Sequence, residues 1–188
     1  MRKLSIWISI FFIFLATVGK IHAADLQEGF SGIKWGTNIS DLSHFSKLGS
    51  KGRVSYYANP DQIHTIYEID IPHVIYGFYD NKFFAVYIGI DKFEIYSQLK
   101  SHLASKYGNP DTTLTMRNED TIYKWKYEQI KIKLKLRGRD NTMKLAFYYK
   151  PLSKEVNEIE LEEFQDKSFR LFPVGKDKKW ERIPLFEF

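Results

Sequence analysis

Hydrophobic and polar positions alternate along much of this chain, most sharply near its middle. Residues 73–79 and 82–88 read as two strands around Asp80-Asn81, a two-residue linker that tolerates left-handed backbone and predicts a hairpin. Strands are also predicted over 54–57 and 63–69, with Asn59-Pro60-Asp61 turning between them. After residue 90 the period lengthens. Phe93, Tyr96, Leu99, Leu103 and Tyr107 recur at three- and four-residue spacing, which predicts a helix over 91–107. Asp91 and Glu94 stand at capping-box spacing at its start, Gly108 sits at its end, and Pro110 prevents its continuation. A meander follows over 121–127, 130–136 and 142–149, turned at Glu128-Gln129 and again between Gly138 and Asn141.

Nearer the N-terminus, 30–36 (FSGIKWG) is a short apolar segment, and Thr37 or Asn38 caps a short helix over Ile39, Leu42 and Phe45. The order helix, strands, helix, strands predicts an α+β fold. It has a mainly antiparallel sheet, a long helix packed on one face and a short N-terminal helix, arranged as two α-then-β units. The opposite sheet face is expected to be wet. Beyond Pro151, KEVNEIELEEF (154–164) reads as a third helix, and the aperiodic remainder as an extension wrapping over the domain. The division is therefore 1–23 leader, 24–150 α+β domain, and 151–188 C-terminal helix and extension.

The leader is read from its three regions. Arg2 and Lys3 precede fifteen apolar or small residues (LSIWISIFFIFLATV), and Ile21-His22-Ala23 provides a cleavage site. Fifteen residues span about 22 Å as a helix, short of the roughly 30 Å of a hydrocarbon core. This favours a cleaved secretory signal over the alternative, a retained anchor, and predicts a periplasmic or secreted protein. The 188-residue chain carries 28 Lys+Arg and 23 Asp+Glu, a net +5. Removing Arg2, Lys3 and Lys20 leaves a net charge of +2, because the leader holds no acid. So small an excess does not point to nucleic acid. There is no cysteine, which excludes disulfides, thiolate ligands and a lipidated cysteine.

The meander carries the most pronounced charge pattern. Ile130, Ile132, Leu134 and Leu136 point one way along their strand, and Lys131, Lys133, Lys135 and Arg137 the other. Lys124 and Lys126 alternate with Tyr123, Trp125 and Tyr127 in the strand before, and Lys144 continues the pattern in the strand after. These seven basic residues are expected on one sheet face, either as a solubilising surface or as a docking face for an anionic partner. The aromatics of 76–87 read as core or, alternatively, as recognition surface. Chemistry is otherwise sparse. His64 and Glu68 lie about 13 Å apart on an extended strand, too far to share a metal. Asp61 with His64, or Asp70 with His73, forms at most a local turn contact. No GxSxG, P-loop or GxGxxG pattern occurs. No cofactor or metal is implied.

Phe30-Ser-Gly-Ile-Lys-Trp-Gly-Thr37, then Tyr76-Gly-Phe-Tyr79 with Phe83-Phe84, then Lys100 to Tyr107-Gly108, resembles a group of small exported bacterial proteins of unknown function. That resemblance spans roughly residues 30–149 and implies no catalytic residue. The functional expectation is a non-catalytic binding domain recognising an envelope protein, an anionic polymer or lipid headgroups. Membrane contact would come only through an uncleaved leader or peripheral binding. The alternatives are an envelope hydrolase with a carboxylate-based site and a structural or assembly protein.

Overall fold

A computed structural model describes residues 26–71, 74–116, 119–154, 156 and 181–186. The leader and nearly all of the helix expected over 154–164 lie outside the described residues. Strand order places most of the chain in one sheet. The strands β3 (Ser46–Lys51), β4 (Val54–Ala58), β7 (Val74–Tyr79), β8 (Lys82–Ile90), β12 (Thr142–Tyr149), β11 (Ile130–Arg137), β10 (Thr121–Tyr127) and β9 (Thr112–Thr115) lie side by side in that order. Every neighbouring pair is antiparallel. A second sheet has the order β13 (Glu181–Pro184), β5 (Gln62–Ile66), β6 (Ile69–Ile71). The hairpin β1 (Gly29–Phe30) and β2 (Ile33–Lys34) completes the strands.

Local chemistry explains the turns. Asp80 and Asn81 take positive φ (45° and 65°), so the β7–β8 turn has the left-handed form that matches strand twist. Tyr67 and Glu68 do the same (48° and 64°) and split the stretch read as one strand over 63–69 into β5 and β6. The FSGIKWGT segment is a strap on the start of β8. Trp35 stacks on Phe83 at 4.6 Å and lies parallel to Tyr149 at 6.0 Å. The Gly36 amide donates to the Phe83 carbonyl (2.8 Å), and the Phe83 amide donates to the Thr37 carbonyl (2.9 Å). Gly36 itself sits at φ 84°, where a side chain would be strained.

The α+β expectation is corrected. Of the described residues 53% are strand and 17% helical, and no long helix is packed along a face of the large sheet. The fold is mainly antiparallel β. Two causes are visible. The short helix expected over 39–45 is a single 3-10 turn, Ile39–Asp41, with the Asn38 side chain accepting from the Ser40 amide. Residues 46–51 and 112–115 pair at the two sheet edges despite having no clear apolar alternation, because pairing with an existing edge satisfies their backbone. The helix α1 (Phe93–Tyr107) contributes Ile95, Tyr96, Leu99 and Leu103 to the core. Its N-cap is Lys92, without a side-chain bond, rather than Asp91.

The lysine side of the meander remains partly open to solvent, but the sheet is not wet along the whole of that face. Strand β7 is buried at all six positions, so side chains on both faces are covered. On one face Tyr76, Phe78, Val86, Ile88, Phe147, Ile132 and Trp125 pack with Phe30, Ile66 and the α1 residues. On the other, Val54, Tyr56, Ile75, Phe84, Tyr87, Ala146 and Tyr148 pack with Leu152 and Val156. Leu152 belongs to α2 (Lys150–Ser153), which follows β12 and packs against β8 and β12.

Candidate functional site

The seven basic residues are set by β10, β11 and β12. Cross-strand register places Lys124 opposite Lys133 and Lys126 opposite Lys131. It places Lys135 opposite Lys144 and Arg137 opposite Thr142. A strand's side chains alternate between faces, so these pairings gather all seven on one side of the sheet. That side continues into the tyrosine half: Lys131 faces Tyr148, and Lys133 faces Ala146, which in turn faces Tyr87.

Environment divides the seven. Lys126 is exposed, while Lys124, Lys131 and Lys144 are half-buried. Lys133 is buried, with 5% of its surface exposed. Lys135 lies 3.7 Å from the Asp120 carboxylate, and both side chains are largely covered (11% and 6% exposed). Asp120 also accepts from the Gly138 amide at 3.1 Å, so it ties the turn after β11 to the start of β10. Arg137 holds Asp140 through two nitrogens, each at 2.9 Å, and donates to the Thr142 hydroxyl at 3.2 Å. The Thr142 hydroxyl and amide, with Arg137, hold the Asp140 carboxyl down at about 2. Arg137 and Lys135 are thus engaged in closing turns. Toward the β10–β11 hairpin lie the exposed Lys126 and the half-buried Lys124 and Lys131.

Beside the lysines is a tyrosine cluster that the charge pattern did not reveal as part of this face. Tyr87 meets Tyr148 edge-on at 5.7 Å and Tyr56 at 6.0 Å. Burial, then the neighbouring Tyr148 and Tyr56, push the Tyr87 phenol well above its ordinary value. The aromatics of 76–87 were expected as core or as recognition surface; the burial of Tyr87 places it in the core, with Tyr148 from β12 beside it.

A second polar cluster sits across the sheet. The His64 Nε2 and Tyr76 hydroxyl are hydrogen-bonded at 2.8 Å, and Ser31 hydrogen-bonds the same tyrosine. His64 is 3% exposed, and its Nδ1 has no hydrogen-bond partner among the described residues. Burial lowers its pKa from 6.5 to about 4 and raises that of Tyr76. Asp61, read as making at most a local turn contact with His64, lies 3.5 Å from His44 instead. Asp70 pairs with Arg182 at 3.1 Å, and His73 lies outside the described residues.

An open groove of about 510 Å³ runs along α1, lined by Tyr67, Ser97, Gln98, Ser101, His102 and Ser105. Its lining contains hydroxyls and an imidazole but no carboxylate. Among the described residues, no three His, Asp or Glu are placed to hold a metal ion. No described helix is long and apolar enough to cross a membrane.

These features define an antiparallel β protein whose central sheet is covered on both faces and carries a basic flank on one. No family model matches the chain, and no curated protein matches it. Among solved structures, it is similar to a DUF4309 family protein (YjgB) from Bacillus subtilis subsp. subtilis str. 168, a member of an uncharacterised family. The two are 14% identical, over 65% of this chain and 82% of that one, with a TM-score of 0.37. A likeness at that level carries no functional argument.

Proposed function

We propose that this protein is a non-catalytic binding domain, exported to the periplasm or beyond, that docks an anionic envelope component on the β10–β12 flank. Export rests on the leader composition, Arg2 and Lys3 before fifteen apolar or small residues. One observation supports the docking face above all. Lys124/Lys133, Lys126/Lys131 and Lys135/Lys144 are directly opposed like-charge pairs on one face. Like charges directly opposite one another weaken a sheet; Asp120 offsets this at Lys135, and the register gathers Lys124, Lys126 and Lys131 toward the hairpin end. An anion laid across the hairpin end of the flank relieves the repulsion between Lys126 and Lys131 and gains from Lys124 beside them.

The structure alters which residues should be tested. Reversing buried Lys133, or Lys135 beside Asp120, disturbs packing as well as charge. Lys124→Glu, Lys126→Glu and Lys131→Glu together change the outward potential with the least disturbance. Binding of the full chain is measured to vesicles of anionic and of neutral lipid, and to a soluble acidic polypeptide. The reading expects wild-type binding to at least one anionic probe, none to neutral vesicles, and at least a tenfold loss in the triple variant. Binding to no anionic probe, or equal binding by both proteins, overturns it.

A further inference from the structure

The strand β13 is an addition to β5 rather than part of a hairpin. It pairs in parallel over four residues, from Glu181 opposite Gln62 to Pro184 opposite Thr65. The Glu181 amide donates to the Asp61 carbonyl (3.3 Å), and the Leu185 amide donates to the Thr65 carbonyl (2.9 Å). Little of the strand is buried; Glu181, Arg182 and Pro184 are exposed. Its hold comes from side chains at set positions. Arg182 reaches across β5 to Asp70 on β6 at 3.1 Å, and Gln62 donates to Glu181 at 3.2 Å. Leu185 packs at the margin of the core. Phe186 is buried, its ring 5.2 Å from His102 and 6.2 Å from Phe147. Main-chain pairing along an edge, a charged pair for register and an apolar anchor in a slot are the elements by which sheets capture extended peptides.

We propose that the β5 edge and the slot beside His102 and Phe147 form a peptide-docking groove, closed here by the chain's own Glu181–Phe186 segment, and that a second copy of the chain can fill it with the same segment. Groove and segment are complementary: Arg182 matches Asp70, and Phe186 matches the aromatic slot. Chain length permits the exchange. Between Val156 and Glu181 run 24 residues, which extended reach about 80 Å. The segment is therefore able to meet its own groove or a neighbour's. Closure within one molecule competes at an effective concentration on the order of millimolar, so exchange grows as protein concentration nears that range.

Two exposed substitutions test it in the full chain, at side chains that are 68% (Arg182) and 42% (Asp70) exposed. Asp70→Arg places a cation in the groove opposite Arg182. Arg182→Asp places an anion on the segment opposite Asp70. Each variant alone repels its own segment; mixed, each groove meets a segment of opposite charge from the other chain. Sedimentation at roughly 0.3 mM, approaching the millimolar scale of closure within one molecule, is expected to show at least fivefold more species of twice the chain mass in the mixture than in either variant alone. The Asp70→Arg/Arg182→Asp double variant regains its own segment and is expected to match wild type. Adding Phe186→Ala to both partners is expected to abolish the excess. A mixture no different from the average of its components overturns the proposal, and so does an excess that survives Phe186→Ala.

Discussion

At the scale of single residues, His64 is the group whose state matters most to the fold. It joins the small sheet to the large one through Tyr76, and it is buried uncharged, with a pKa lowered to about 4. Between pH 6.5 and about 4 the unfolded chain takes up a proton that the folded chain refuses. Stability therefore falls as pH falls through that window, by about 3 kcal/mol at its lower end, and is unaffected by this group above 6.5. His64→Gln keeps an amide for Tyr76 but cannot titrate. Denaturant unfolding at pH 7 and pH 4.5 is expected to show a smaller pH-dependent loss in the variant than in wild type; an equal loss would remove His64 from the explanation. Gly77 is a second such position. A Cβ there would stand 3.2 Å from each of Ala85 Cβ, Phe84 Cε1 and Tyr87 Cε2, next to the register shift between β7 and β8. Gly77→Ala is expected to cost about 1–3 kcal/mol in chemical unfolding, the range for overpacking a filled interior.

At the scale of elements, α1 and the Trp35 strap are the parts whose removal should be felt. Leu99 is fully buried, so Leu99→Ala is expected to destabilise by about 2–5 kcal/mol. Trp35 is half-buried, and its loss strips stacking from Phe83 and Tyr149. Trp35→Ala is expected to cost ~2–3 kcal/mol, below the ~3–5 of a fully enclosed aromatic. Thermal unfolding of both variants, with Leu99→Ala the less stable, checks the ranking. Elements with strong periodicity were legible from sequence: the β7–β8 hairpin with its Asp80-Asn81 turn, α1 to within two residues, and the meander to within one. The misses share a cause. β3, β9 and β13 are edge strands whose backbone pairing is decided by the neighbour that offers an edge, which no local pattern encodes. Asp91 satisfied the capping spacing, yet the helix begins at Phe93 because β8 runs on to Ile90. The helix expected over 39–45 ended after one turn, where Leu42 takes an extended ψ of 75°.

At the scale of the whole molecule, the sheet sorts its two faces by composition. One packs against the small sheet, the N-terminal strap and a few apolar side chains from α1; the other passes from a tyrosine-rich centre under α2 to a basic flank. That the seven basic residues share a side was legible, because register and alternation fix it together. Their unequal exposure was not, because Asp120 and Asp140 reach the face from turns and α2 covers it from beyond the meander. The central claim is that charge on Lys124, Lys126 and Lys131 drives binding. The most direct measurement is the salt dependence of binding to an anionic probe, compared between wild type and the triple alanine variant of those lysines. Screening weakens exposed charge interactions steeply between low and physiological salt. The expected result is a strong salt dependence in wild type and a visibly flatter one, at lower affinity, in the variant. Parallel salt dependences with equal affinities would contradict it.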